Sequence, residues 1–166
     1  EDTRHSGPLL KQLGATGRLL PAHQHNEQAA AQRIVDIVRA GEAVALISDA
    51  GTPGISDPGA RVVAAMHAVG LPVVPLPGAC AAVTALSAAG FLAEQFLFHG
   101  FLPSQSGQRR QVLAGLRGQC AALVFYEAPH RILETVADLA AELGERTLLV
   151  ARELSKLYES IVRLPL

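Results

Sequence analysis

Residues 48–59, SDAGTPGISDPG, hold three glycines, two prolines and two aspartates between an apolar run, AVALI, and a helical pattern, ARVVAAMHAVG. Asp57 and Pro58 read as a helix start, an N-cap followed by proline at the first helical position. The first half of the stretch is not needed for that turn. Asp49, Ala50, Gly51 and Thr52 sit at the end of an expected strand and offer one carboxylate and exposed backbone amides to a small polar ligand. In open α/β sheets, ligands bind at that carboxyl edge.

Two further stretches leave strand ends in the same way. In PLPGACAAVTALSAAG (75–90), a turn at Gly78 opens a helix of small residues, which admits a large group against its start or simply packs in a tight layer. In FYEAPHR (125–131), Glu127 follows an apolar strand, and His130 and Arg131 fall in the first turn of the next helix. Positive charge there opposes the helix dipole, which points to an anionic partner or to Glu127 as a salt-bridge mate. EDTRHS (1–6) and HQHNE (23–27) read as short polar loops. His23 and His25 share a face in an extended segment, but with no third ligand the spacing does not make a metal site. ARELSKLYE (151–159) places Arg152, Glu153, Lys156 and Glu159 in a turn after a buried strand.

The elements that must position these residues alternate along the chain. RIVDIVRA reads as an amphipathic helix stopped by Gly41, residues 43–48 as a strand, and a helix follows from about Pro58 to His67. Strand 72–76 and the small-residue helix ending at Gly90 come next, then strand 96–101, a helix from about Arg109, strand 121–126, a helix from Pro129 to Leu143, and strands at 146–153 and 158–164. Strand and helix alternation predicts an α/β protein with a largely parallel sheet. The weakest pattern falls near residues 91–95, so the expected domains are 1–94 and 95–166.

Composition narrows the classes. The chain has 166 residues, 49% hydrophobic and 17% charged, which suits a folded domain rather than a disordered one. Its net charge of -1 supplies no global basic field for nucleic acid, although a local basic surface is compatible with it. Cys80 and Cys120 form no CxxC or Cys/His spacing, which fits a reducing cytoplasm and no metal. The apolar runs are too short and too broken to cross a bilayer. Neither GxGxxG nor a Gly-Lys pair occurs, which excludes a dinucleotide fingerprint and a P-loop. GISDP at 54–58 and GACAA at 78–82 both lack the closing glycine of a nucleophile elbow.

Seven motifs occur in a distinctive order and spacing: EDTR (1–4), HNE (25–27), SDAGTPGISDPG (48–59), PLPGACAAVTALSAAG (75–90), GFLP (100–103), FYEAPHR (125–131) and ARELSK (151–156). Together they resemble the rRNA-modifying branch of the tetrapyrrole methylase superfamily over essentially the whole chain. The resemblance implies two α/β domains with S-adenosylmethionine in a cleft between them. It also implies that the chain is a segment of a longer protein, lacking the family's first strand and its carboxyl-terminal part.

By the same resemblance, Asp49, Ala50, Gly51 and Thr52 wrap the cofactor, Gly78, Cys80 and Ala81 line the cleft, and Tyr126 and Glu127 contribute from the second domain. The implied activity is methylation of the ribose 2'-hydroxyl of a cytidine in 16S rRNA of the small ribosomal subunit, in the cytoplasm, by a homodimer. Such a reaction is an in-line displacement on a sulfonium methyl and gains much from alignment. A ribose hydroxyl is a poor nucleophile, so a base or nearby cation helps, and Glu1, Asp2, Glu127 and Lys156 are the candidates. Arg4, Arg131 and Arg152 suit phosphate oxygens; structural ion pairing is their other reading. The chemistry requires no metal. A methylase of a tetrapyrrole or other small molecule, and a non-catalytic RNA-binding or dimerisation module, are the alternatives.

Overall fold

A computed structural model of the chain describes residues 3–23 and 26–166. It divides into two compact units, Glu1–Ala79 and Cys80–Leu166. The first contains α1 (Thr3–Gln12), α2 (Glu27–Arg39) and α3 (Ala60–Ala68). Ala31, Ile34, Val35 and Val38 recur at helical spacing on one stripe of α2 and pack against Val62 and Met66 of α3, with Leu71 and Val73 closing the cluster. Each large side chain buried in this way stabilises the unit by about 1.5–3 kcal/mol.

Several expectations for this unit are corrected. The EDTRHS stretch is not a loop from Thr3 onward, because α1 runs through Gly7 and Pro8. A proline inside a helix removes its own N–H and strains the preceding turn, but it does not prevent helix on either side. Likewise Glu27 opens α2, six residues ahead of the arginine where the apolar pattern begins. Residues 43–48 and 72–76 carry no strand ladder among the described residues. Apolar, β-branched composition marks a segment fit for a sheet, whereas the ladder itself needs a partner that local pattern does not reveal. Finally, α3 begins at Ala60 with Gly59 as N-cap, so neither Asp57 nor Pro58 occupies the cap or first helical position.

The second unit contains α4 (Ala81–Ala89), β1 (Phe96–Phe101), α5 (Ser106–Gly115), β2 (Ala122–Tyr126), α6 (Ile132–Leu143), β3 (Thr147–Arg152) and β4 (Ser160–Pro165). β1 and β2 pair in parallel across the α5 crossover, with a register shift between Phe98 and Gly100 that Gly100 accommodates at φ 78°. β3 and β4 pair antiparallel, from Thr147 opposite Pro165 to Arg152 opposite Ser160. The expected largely parallel sheet is therefore half right. Residues 153–159 are too few to carry a parallel crossover, which takes about a dozen or more residues, so β4 turns back on β3.

Leu102, Leu113 and Leu139 form the buried centre of this unit, flanked by Val112, Phe125, Leu143 and Leu166. α6 starts at Ile132 rather than Pro129; the residues ahead of it form a turn in which the Arg131 N–H donates to the Ala128 carbonyl at 3.0 Å.

Candidate functional site

The glycine-rich loop is folded by its own polar groups. Ser48 Oγ donates to the carbonyls of Ala50 at 3.2 Å and Gly51 at 2.9 Å, turning the chain back directly beyond the apolar run. Gly51 at φ 76° lies in the left-handed region, and a Cβ there would stand 3.4 Å from the Ala79 carbonyl oxygen. Thr52 Oγ1 donates to that same oxygen at 2.9 Å. The loop and the Pro-Gly turn, two places singled out independently by sequence, are thus docked on one another. Gly78 is the adjoining residue, its side-chain position 4.0 Å from Thr52 Oγ1.

Asp49 and Gly51 line a cleft of about 360 Å³ together with His5, Ser6 and Leu9 of α1. Asp49 is half-buried and Ala50 exposed. One carboxylate, exposed loop backbone and an apolar wall at Leu9 and Ile47 make a set able to hold a small ligand that is polar at one end and apolar at the other.

The far end of the loop is held by a residue that sequence placed in a polar loop. Glu27 is buried, and its Oε1 accepts hydrogen bonds from the backbone N–H groups of Gly59 at 2.8 Å and Arg61 at 3.0 Å. Its Oε2 lies 3.6 Å from Arg61 Nε. A carboxylate against the first amides of α3 complements the helix dipole and satisfies donors that the helix cannot. The signal available in sequence was an acidic residue flanking an amphipathic pattern, which fixes a place but not a partner.

In the second unit, Tyr126 ends β2 with its ring edge-on to Phe98 and Phe101, centroids 5.0 and 5.6 Å apart. Glu127 follows with its side chain 6% exposed. Its Oε1 accepts from the Ala128 N–H at 2.7 Å, and its Oε2 from Thr135 Oγ1 at 2.6 Å and Arg131 Nη2 at 3.1 Å. Of the two readings of Arg131, the ion pair with Glu127 is present. The same Nη2 donates to the carbonyls of Leu102 at 2.8 Å and Pro103 at 3.2 Å, while Nε is buried without a partner among the described residues.

A second arginine, missed by sequence, works beside it. Arg109 is 1% exposed, pairs with Asp138 at 2.7 Å, and sends Nη1 to the carbonyls of Pro103 and Ser104 at 3.4 and 3.2 Å. Two guanidiniums therefore hold three consecutive carbonyls after β1. No local pattern distinguishes Arg109 from the exposed Arg110 beside it, since what encloses Arg109 is Asp138, 29 residues on, together with the carbonyls after β1.

The remaining predicted residues are dispersed. Cys80 is the extended N-cap of α4, and Ala81 is its first residue. Arg4 lies on an exposed position of α1. Arg152 ends β3, and Lys156 pairs with Glu153 at 3.3 Å in the turn beyond, where Glu153 and Ser155 hold positive φ of 51° and 65°. Glu1, Asp2 and His25 lie outside the described residues. Among the described residues no three His, Cys, Asp or Glu side chains converge as metal ligands, and no helix is long and apolar enough to cross a membrane.

Elsewhere in the second unit, Glu142 receives Arg110 Nε at 2.6 Å and a second ion pair from Arg117. The Arg110 hydrogen bond is the main influence holding the Glu142 carboxyl below its usual range, and it raises Arg110 in turn. A larger groove of about 640 Å³, lined by Phe91, Leu123, Leu139, Arg146, Arg163 and Leu166 among others, contains none of the predicted site residues.

The chain belongs to the tetrapyrrole (corrin/porphyrin) methylase family, whose model matches residues 3–166. Among named proteins it is similar to ribosomal RNA small subunit methyltransferase I of Pseudomonas aeruginosa, at 49% identity over 100% of this chain and 59% of that protein. It is likewise similar to the proteins of the same name from Pasteurella multocida, at 50% identity over 98% of this chain and 58% of that one, and from Escherichia coli O157:H7, at 48% over 97% and 57%. The chain thus spans less than two thirds of the length of these relatives.

Proposed function

We propose that the protein is an S-adenosylmethionine-dependent methyltransferase acting on the 2'-hydroxyl of a cytidine in 16S rRNA of the small ribosomal subunit. The observation that carries this reading is the docking of Thr52 Oγ1 on the Ala79 carbonyl, which joins the two turns that the family resemblance assigns to the cofactor. The near-50% identity to proteins named for rRNA methylation favours RNA over a small-molecule acceptor.

The residues present fit the cofactor. Asp49 offers a carboxylate to an ammonium or ribose hydroxyl, and the glycines at 51 and 54, both at positive φ, allow close backbone approach. Gly78 extends the same surface, and the resemblance adds Cys80, Ala81, Tyr126 and Glu127. Bound there, S-adenosylmethionine would supply a methyl group on a sulfonium. The chain's own task is then alignment of the acceptor oxygen and exclusion of competing geometries.

Among the acid-base candidates for the hydroxyl, Lys156 is exposed and paired with Glu153, and Glu127 has both oxygens engaged by Ala128, Thr135 and Arg131. Glu1 and Asp2 stay in the candidate set through the EDTR motif. Arg4 and Arg152 are the proposed phosphate contacts. Arg131, whose Nη2 is taken by Glu127 and two carbonyls, serves that surface by fixing residues 102–103. A cytoplasmic homodimer without a metal completes the reading, which rests for these points on the resemblance and on the lone thiols.

The test is methyl transfer from radiolabelled S-adenosylmethionine to small ribosomal subunits lacking the modification, using the full-length protein, followed by digestion and mass spectrometry of the nucleosides. A labelled 2'-O-methylcytidine is the expected product. Cofactor binding with no RNA product would move the assignment to a small-molecule methylase.

A further inference from the structure

The HNE motif is not absorbed by the function just proposed, and its glutamate is buried, charged and far in sequence from the amides it holds. A helix cap alone would require only the two amides of α3. Gly59, however, is more than a cap residue. It holds φ 141°, and a Cβ on it would stand 2.9 Å from Leu46 Cδ2 and 3.3 Å from the Gly54 backbone nitrogen. The space beside Gly59 is thus closed to a side chain by Leu46, three residues before Asp49, and by the backbone of the loop's second glycine.

Next to Gly54 the loop is held by its own hydrogen bonds. The Ile55 N–H donates to the Thr52 carbonyl at 3.3 Å, and Thr52 Oγ1 reaches the Ala79 carbonyl at 2.9 Å. The Glu27 carboxylate, Gly59, Gly54, Thr52 and the Pro-Gly turn all lie inside one compact unit. Thr52 pins the loop at one end, and Glu27 pins it at the other.

We propose that Glu27 is a positioning residue for the cofactor loop: by holding the Gly59 and Arg61 amides it fixes residues 51–54 in the conformation that receives S-adenosylmethionine. The inference rests on the function proposed above and adds a residue that does not touch the cofactor. A buried carboxylate suits the task because its two charge-assisted bonds to backbone amides are directional and are lost together. Both amides meet one oxygen, Oε1, so an acid one methylene shorter draws that oxygen away from both donors, and an apolar residue leaves both unsatisfied.

The experiment measures S-adenosylmethionine affinity by titration calorimetry, beside thermal melting, for the full-length wild type, Glu27→Ala and Glu27→Asp, well below each melting temperature. Glu27→Ala is expected to weaken binding about tenfold or more, the equivalent of one charge-assisted hydrogen bond. Glu27→Asp keeps the negative charge beside α3 but is one methylene short, so it is expected to weaken binding in the same direction while retaining more thermal stability. If Glu27→Ala does not fold, the affinity of Glu27→Asp decides the question. A lowered melting temperature with wild-type affinity would reduce Glu27 to a helix cap and overturn the proposal. Failure of the wild type itself to bind the cofactor would instead overturn the function on which the proposal stands.

Discussion

Glu27 Oε1 lies 2.8 Å from the backbone nitrogen of Gly59, across 32 residues of chain, and the glycine it meets is the one whose side-chain position is already filled. The two features act together, since a residue with a Cβ at this φ would be strained as well as crowded. Gly59→Ala in the full-length protein is therefore expected to cost about 1–3 kcal/mol of stability, measured by denaturant unfolding. A change within a few tenths of a kcal/mol would mean that Leu46 yields freely and that the loop is not clamped here.

Asp49 lines the cleft beside α1, while the turn that presents it is held by the neighbouring Ser48 Oγ. Asp49→Ala is expected to weaken S-adenosylmethionine binding several-fold to a hundredfold, within the range for losing a hydrogen bond to a charged group. Calorimetric titration reads this directly, and wild-type affinity would remove Asp49 from the cofactor set.

Asp138 neutralises Arg109, whose side chain is 1% exposed. It also accepts from Ser106 Oγ at 2.9 Å, so one carboxylate holds the start of α5 and the buried arginine together. Asp138→Ala should destabilise the protein by about 3–5 kcal/mol, because the arginine is left as an uncompensated buried charge. Unfolding midpoints in denaturant measure the loss, and a cost below about 1 kcal/mol would show that Glu134, 3.7 Å from Arg109 Nη2, replaces it.

Thr135 is buried and gives its hydroxyl to Glu127 at 2.6 Å. Thr135→Val keeps the side-chain shape and removes that donor, at an expected cost of about 1.5–3 kcal/mol. If Glu127 is chiefly a structural acceptor, cofactor affinity at low temperature stays near wild type in this variant while the melting temperature falls.

Glu142 titrates below its ordinary value of 4.5 in the folded protein, mainly through the Arg110 hydrogen bond. A depressed carboxyl contributes stability that is fully present above its unfolded pKa and is lost as pH falls through the folded value. The stability that Glu142 contributes should therefore be lost as pH falls below about 4.5, and Glu142→Gln should flatten that part of the stability profile. Melting temperatures between about pH 3 and pH 7 test the sign; an unchanged slope in the variant would assign the acid sensitivity to other carboxylates.

Local pattern determined much of this protein. The 3.6-residue stripe of Ile34, Val35 and Val38 defined α2, the runs at 96–101 and 121–126 became paired strands, and Gly90 closed α4 at φ 62°. Motif order also identified the two turns that meet at Thr52 and Ala79. These features follow from backbone preference and from which face of an element is apolar, and both are written within a few neighbouring residues.

What tertiary structure decided are the partners. Asp57 and Pro58 made a sound local helix start, yet α3 begins later and its first amides are met by Glu27, a buried carboxylate carried in by another helix. Arg131 faces Glu127 and two carbonyls, and Arg109 rather than Arg110 is the buried member of its pair, enclosed between Asp138 and the carbonyls of residues 103–104 while Arg110 reaches Glu142 from an exposed position. Charge and hydrogen-bonding capacity are properties of a residue, readable one letter at a time. Which opposite charge or orphaned amide meets it depends on chain segments brought together by packing, and that is settled only when the fold closes.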